Sequence, residues 1–103
     1  MTSPSEPLPA LHMALLDGHA VTALFVDLLA LTEVLEVVLK GGPQQYALTH
    51  PVTLERAQGM FQRGEVVGLQ VRYRHDARAW CDTLLRTPDG VRLVRVADVG
   101  GHP

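Results

Sequence analysis

Asp82 is the side chain of this 103-residue sequence whose position most suggests chemistry. It falls between Trp80 and Leu84 in a segment with the two-residue alternation of a β-strand, so all three side chains are expected on one apolar face. A carboxylate on such a face must be paired with a cation or reach water. One interpretation is therefore structural: Asp82 pairs with Arg92 or Arg78 at the edge of the sheet, or the assumed strand register is wrong and Asp82 points outward.

The second interpretation of Asp82 is a small ligand pocket at the open end of the protein's layers. We expect this pocket to be lined by His50, Tyr73, Trp80 and Asp82. Asp82 or His50 would then act as a general base, because a carboxylate or an imidazole within hydrogen-bond reach of a ligand can accept its proton. Both interpretations stay open at this point.

The remaining candidate ligands and nucleophiles do not form a recognisable site. His12 and His19 are seven residues apart, whereas two metal ligands on one helix are better placed three or four apart. Cys81 falls in the middle of a predicted strand, where a buried thiol behaves as a small hydrophobic group. The only serines, Ser3 and Ser5, lie close to the N-terminus. We predict no metal site and no cofactor, and whether the protein is an enzyme stays open.

Three β-strands must position the candidate carboxylate and its neighbours. Alternating and β-branched residues predict strands over residues 66–75, 78–86 and 91–97. The first connection, Asp76-Ala77, is tight, and the second, residues 87–90 (TPDG), has the proline and glycine of a strong turn. The three segments are therefore predicted to form an antiparallel meander.

The lengths of the turns predict which residues face each other. A two-residue first turn places Tyr73 opposite Trp80 and Val71 opposite Asp82, and a three-residue second turn with a glycine bulge places Asp82 opposite Val96. The face expected to carry the core consists of Leu69, Val71, Tyr73, Trp80, Leu84, Val94 and Val96. The other face holds Gln70, Arg72, Arg74, Cys81, Thr83, Leu85 and Arg95.

The segment from Trp80 to Val96 resembles the end of NTF2-like (SnoaL-like) domains. In that family a strand that contains a tryptophan, a turn similar to TPDG and a final strand close a curved sheet. The resemblance covers this segment alone. It implies a small ligand-binding domain or enzyme with a pocket near Tyr73, Trp80 and Asp82, and it transfers no functional residue.

The longest apolar run, residues 21–40, is predicted to be a helix that ends at residues 41–43 (GGP), the strongest stop signal in the sequence. In a helix Glu33 and Glu36 fall on one narrow polar stripe, whereas in a regular strand they would point to opposite faces. The rest of this helix is mostly Leu, Val, Ala and Phe. A helix with so little polar surface must be covered on more than one side.

Shorter elements flank this long helix. A short helix is predicted over residues 9–17, and Asp17 is expected to cap the helix that follows; whether the two are one bent helix stays open. Residues 44–50 (QQYALTH) alternate as a short strand that ends before a proline. Thr53 is expected to cap a further helix that Gly64 closes.

These elements predict an α+β fold in two layers. An N-terminal helical layer packs on an antiparallel sheet that ends in the three-stranded meander. Residues 9–98 are expected to form a single domain, with a disordered tail at residues 1–8 and a flexible tail at residues 99–103.

One chain offers too little material to cover the long apolar helix, so we expect a homodimer. Charge fits such packing, because residues 1–39 carry five acidic and no basic residues while residues 40–103 carry nine basic and six acidic ones. The two layers should therefore attract each other, within one chain or between protomers. The residues expected at the interface are Leu24, Phe25, Leu28, Leu31, Leu35 and Val38.

Composition narrows the class of function. A net charge of −2 and a pI near 6.2 give no electrostatic case for nucleic acid, and the acidic residues in the apolar run argue against a membrane span. A single cysteine and an N-terminus without a basic segment point to the cytoplasm. The first hypothesis is a non-catalytic oligomeric accessory or partner-binding protein, and the second is a small NTF2-like enzyme or ligand-binding domain.

Overall fold

A computed structural model describes residues 11–41 and 52–98, which form a five-stranded antiparallel sheet and two helices. The predicted mixed α+β class is confirmed, with more sheet than helix. The strand order across the sheet is β1-β5-β4-β3-β2, and neither described helix is long and apolar enough to span a bilayer. The elements in chain order are β1 (Leu11–Leu16), α1 (Gly18–Leu31), β2 (Glu33–Lys40), α2 (Leu54–Gln62), β3 (Gly68–His75), β4 (Arg78–Thr87) and β5 (Gly90–Ala97).

The predicted helix over residues 21–40 is wrong in its second half. Helix α1 begins after Asp17, whose carboxylate accepts a hydrogen bond from the Ala20 N–H at 2.8 Å, so the predicted N-cap is observed. The helix ends at Leu31, because Thr32 has extended backbone angles and its hydroxyl donates to the Leu28 carbonyl at 2.7 Å. The eight residues that follow form strand β2.

A β-bulge in β2 explains why this strand was taken for a helix. The pairing of β2 with β3 shifts between Val34 and Glu36, so one extra residue enters the strand there. Glu33 and Glu36 therefore point to the same face of the sheet, although they are three residues apart, and they pair with Arg74 and Arg72. A three-residue spacing that is typical of a helix stripe comes here from an interrupted strand.

The predicted short helix over residues 9–17 is also wrong, because residues 11–16 form strand β1. This strand pairs antiparallel with β5 over its whole length, from Leu11 opposite Val96 to Leu16 opposite Val91. The periodicity of a short apolar run fits a helix or a strand equally well. Here the run forms a strand because β5 is available to pair with it. The predicted tails at residues 1–8 and 99–103, and the predicted strand at residues 44–50, lie outside the described residues.

Both helices pack on one face of the sheet, which we call the helix face; we call the other the open face. The predicted cap of α2 is observed, since the Thr53 hydroxyl accepts from the Arg56 N–H at 3.1 Å. The core cluster joins helix residues Val21, Phe25, Leu28, Leu54, Met60 and Phe61 to Val66 and to strand residues Leu69, Val71, Tyr73, Trp80, Leu84, Val91 and Leu93.

The two hairpins of the sheet have turns of equal length. The first register is as predicted, with Tyr73 opposite Trp80, and its turn residues Asp76 and Ala77 both have positive φ. In the second hairpin Thr87 pairs with Gly90 across a two-residue turn, so the predicted three-residue turn is wrong.

This one-residue difference reverses the faces of β5, because side chains alternate along a strand. Asp82 lies opposite Arg95, and Leu84 lies opposite Leu93. Val94 and Val96 therefore belong to the open face rather than to the core. Arg95 turns to the helix face, opposite to its predicted side.

Candidate functional site

Asp82 lies at the centre of the helix face and is completely buried. Strand β5 places Arg95 beside it, and the guanidinium donates from Nε to Asp82 Oδ1 and from Nη2 to Oδ2, both at 2.9 Å. Strand β3 supplies Tyr73, whose hydroxyl donates to Asp82 Oδ1 at 3.0 Å. Three neighbouring strands thus meet in one polar cluster inside an otherwise apolar core.

The geometry of this cluster satisfies the carboxylate. Both of its oxygens accept hydrogen bonds, and the two bonds from Arg95 are the parallel pair that binds carboxylates most strongly. The hydrogen bond to Asp82, and then the charge of Asp82, hold the pKa of Arg95 above its ordinary value, although burial opposes this. Asp82 therefore balances the charge of the half-buried Arg95, and neither of its oxygens faces the cleft.

Tyr73 acts as a donor in the cluster. Burial is the main cause that raises the pKa of Tyr73 above its ordinary value, and the negative charge of Asp82 adds to it. The phenol stays protonated at neutral pH and keeps its hydrogen bond to the carboxylate. It does not supply a phenolate for catalysis.

A cleft opens between the second half of α1 and the sheet, next to this cluster. Its volume is about 180 Å³, which is room for a small ligand. The His75 ring lies at its mouth, with Nδ1 3.2 Å from the Leu31 carbonyl. The lining consists of Leu24, Asp27, Leu28, Leu31, Thr32, Tyr73, His75 and Arg95.

Of the four residues predicted to line a pocket, only Tyr73 lines this cleft in the part of the chain that the structure describes. Asp82 does not line it, but accepts a hydrogen bond from the Tyr73 hydroxyl. Trp80 is buried in the core with the Arg78 guanidinium 5.0 Å from its ring centre, and it does not line the cleft. His50 lies outside the described residues.

Arg95 is the residue that the sequence analysis misplaced. The expected partners of Asp82 were Arg92 and Arg78, and both expectations are wrong. A usable signal was present, because a two-residue turn puts Arg95 directly opposite Asp82, and opposite charges on adjacent strands stabilise such a pair.

Cys81 lies on the open face, half-buried in β4. Burial raises the pKa of its thiol, and the charges of Asp98 and Asp82 raise it further. The thiolate that nucleophilic catalysis requires is therefore disfavoured. Among residues 11–41 and 52–98, no group of three or more His, Cys, Asp or Glu side chains is arranged to hold a metal ion.

The open face of the sheet is apolar on one side. Met13 and Leu15 of β1 keep 60% and 59% of their surface exposed, and Leu85 of β4 keeps 36%. Val94 and Val96 of β5 are on the same face and half-buried, with Val94 opposite Met13, while the exposed Arg92 lies between Leu15 and Leu85. We call the five apolar residues the apolar patch.

The other side of the open face is charged. Arg72 Nη1 lies 3.0 Å from Glu36 Oε1, and its Nε lies 2.8 Å from Asp98 Oδ2. Arg74 Nη1 lies 3.1 Å from Glu33 Oε1. Both arginines thus pair with acids on the same surface.

The six residues expected at a dimer interface are dispersed. Phe25 and Leu28 are buried in the chain's own core, so they have no surface left for a partner. Leu24 and Val38 are half-buried. Leu31 and Leu35 are exposed, at the end of α1 and at the bulge of β2.

Comparison with known proteins identifies no similar protein. No family model, no curated protein and no solved structure matches the chain, so the resemblance to NTF2-like domains gains no support.

Proposed function

We propose that this protein is a non-catalytic, oligomeric interaction protein, and that its apolar patch is the surface that binds. The observation that carries the proposal is the exposure of Met13, Leu15 and Leu85 on the open face. Exposed apolar side chains grouped on one face mark interaction sites on folded proteins. In this proposal the helices cover one face of the sheet. The other face is then available to a second copy of the chain and to a protein partner.

The polar cluster favours a structural role over a catalytic one. Asp82, the only buried charged residue among those described, accepts hydrogen bonds at both oxygens. Cys81 has a raised pKa and lies on the opposite face from the cleft. General acid–base catalysis needs a group that can exchange a proton with a ligand, and neither residue offers one.

A matched pair of leucines tests the proposal. Leu15 and Leu31 have nearly equal exposure, 59% and 63%, but only Leu15 lies in the apolar patch. We expect the native protein to self-associate in sedimentation equilibrium, Leu15→Lys to weaken association at least about tenfold, a loss of ~1.4 kcal/mol, and Leu31→Lys to leave it unchanged. A protein that stays monomeric at all concentrations, or equal effects of both variants, would contradict the proposal.

The cleft beside Arg95 supports a second candidate, a small ligand-binding domain. Arg95 uses two of the five N–H donors of a guanidinium on Asp82, and its side chain borders the cleft. A small carboxylate is the ligand class that suits the remaining donors. Titration with acetate should shift the amide NMR signals of Thr32 and His75 and leave those of the open face in place; no shift at any concentration would exclude this candidate.

A further inference from the structure

Strand β1 lies at an edge of the sheet and carries no charged side chain from Leu11 to Leu16 apart from the ionisable His12. Within residues 11–41 and 52–98, no strand pairs with its outer edge. An edge of this kind exposes a row of backbone N–H and C=O groups that can pair with another chain, unless charge, proline or a bulge prevents it. β1 has none of these protections.

Strand β2, at the opposite edge, has several of them. It carries Glu33, Glu36 and Lys40, and its pairing is interrupted by a bulge at Leu35. Two copies of β2 laid side by side would place charged side chains at the seam, and the bulge would interrupt a regular ladder. Of the two edges, only β1 is suited to pairing with another strand.

The face alternation of β1 makes this edge self-complementary. A two-fold axis perpendicular to the sheet keeps open-face side chains on the open face, so residues of equal parity must lie opposite each other. Centring the pair on Ala14 places Met13 opposite Leu15 of the second copy, and centring it on Met13 places that residue opposite itself. In either register, apolar side chains meet.

The chain's own N-terminal residues are a poorer match for this edge. Residues 1–10 contain Pro4, Pro7 and Pro9, and proline donates no backbone hydrogen bond to a ladder. A second β1 has no proline and can use every N–H on the pairing side.

We propose that a second copy of this chain pairs its β1 antiparallel with β1, so that two five-stranded sheets become one ten-stranded sheet. This inference rests on the proposed function, because it specifies how the copies associate. Pairing places Met13 and Leu15 of both copies at the centre of the joined sheet and unites the two apolar patches. The result is one continuous apolar band on the open face, available to a further protein partner.

Cysteine cross-linking tests this geometry in a Cys81→Ser background, which removes the native thiol. In edge pairing, Met13 lies at the two-fold axis or one residue from it, whereas Leu85 is on the third strand from the axis. Five strand spacings then separate Leu85 from its counterpart, about 24 Å. We expect a short bis-maleimide reagent to link Met13→Cys efficiently and Leu85→Cys not at all. Stacking of two open faces would instead bring the two Leu85 positions together, and efficient linking there would overturn the proposal.

Hydrogen exchange gives a second readout that does not depend on a cysteine variant folding. The backbone amides of β1 should become more protected as the protein concentration rises, while those at the outer edge of β2 should not change. Leu31→Lys, which lies outside the apolar patch, should leave the association constant within about threefold, roughly 0.7 kcal/mol. A protein that does not self-associate contradicts the proposed function itself. Self-association that Leu15→Lys weakens, without added protection of β1, contradicts the edge pairing alone.

Discussion

On the helix face of the sheet, Asp82 and Arg95 form an ion pair in which the carboxylate has no contact with water; on the open face, Arg74 and Glu33 form one with both side chains more than half exposed. The distances are similar, 2.9 Å and 3.1 Å. Their surroundings differ, because Asp82 is fully buried and Arg95 half-buried, whereas solvent surrounds both side chains of the second pair.

This difference shows that burial determines how much stability is lost when one partner of an ion pair is removed. Removing one partner of a buried pair leaves an uncompensated charge in a low-dielectric core, whereas an exposed partner returns to water at little cost. Apolar residues follow the same logic: Leu84 on the helix face stabilises the fold, while Leu85 beside it on the open face is free to contact another chain. One face therefore holds the domain together, and the other is available for binding.

The largest expected effect is the loss of the cation that pairs with the buried Asp82. Arg95→Met should lower the free energy of unfolding by about 3 to 5 kcal/mol, because it leaves Asp82 charged and buried with only Tyr73 as a hydrogen-bond donor among its present partners. Urea unfolding followed by circular dichroism measures this change.

A double variant separates the burial of an unpaired charge from lost packing. Asp82→Leu combined with Arg95→Met removes both charges, and it should recover most of the stability lost in Arg95→Met. If the double variant is as unstable as the single one, or if Arg95→Met lowers the free energy of unfolding by less than about 1 kcal/mol, the ion pair contributes less to stability than predicted.

Two adjacent leucines compare the faces directly. Leu84 is fully buried and Leu85 is 36% exposed, on opposite sides of β4. Leu84→Ala should destabilise the fold by about 2 to 5 kcal/mol, because it leaves a cavity in the core. Leu85→Ala should cost about 1 kcal/mol or less. Thermal and urea unfolding of both variants should rank them in this order, and equal losses would mean that the open face also carries the fold.

Tyr73→Phe should have an intermediate effect that depends on pH. At neutral pH it should cost about 1.5 to 3 kcal/mol, the usual range for a hydrogen bond to a charged group. Since folding raises the pKa of Tyr73, both the folded and the unfolded phenol are protonated below about pH 10, and the contribution is complete there. Above that pH the unfolded phenol loses its proton first, so this stabilisation falls.

The measurement is the difference in unfolding free energy between the native protein and Tyr73→Phe, at pH 8 to 9 and at pH 10 to 11 (approximate values set by the ordinary tyrosine pKa). Tyr46 is present in both proteins, so its titration cancels. A difference that is constant or increases at high pH would show that the phenol is not held protonated by the fold.

The smallest expected effect is the loss of an exposed ion pair. Arg74→Met removes the contact with Glu33 and should change the free energy of unfolding by about 0 to 1 kcal/mol, decreasing further in high salt. It makes the same substitution as Arg95→Met, and so it serves as its matched control. A loss above about 2 kcal/mol would remove the contrast between the faces.

Parts of this fold could be read from local sequence signals. Asp17 and Thr53 predicted the starts of both helices, because a side-chain oxygen at an N-cap satisfies the backbone N–H groups of the same turn. Asp76-Ala77 predicted the register of β3 and β4, since the number of turn residues sets the pairing.

The errors occurred where a distant partner decides the local structure. The spacing of polar residues in residues 33–40 is that of one face of a helix. Only the bulge in their pairing with β3 shows why Glu33 and Glu36 share a face of the sheet. Residues 11–16 became a strand because β5 has an edge for them to pair with. The turn between β4 and β5 was predicted one residue too long. This error placed Arg95 on the wrong face of the sheet, so it was not recognised as the partner of Asp82.

The sequence by itself determined the mixed α+β class, the two helix starts and the buried position of Asp82, because caps, turns and alternation act within a few residues. Only the tertiary structure decided that Arg95 neutralises Asp82, that residues 11–16 and 33–40 are the two edges of the sheet, and that Met13 and Leu15 face away from both helices. These outcomes depend on pairing between segments up to 85 residues apart, as between Leu11 and Val96, and strand register at one such pairing places every side chain of the strand on one face or the other.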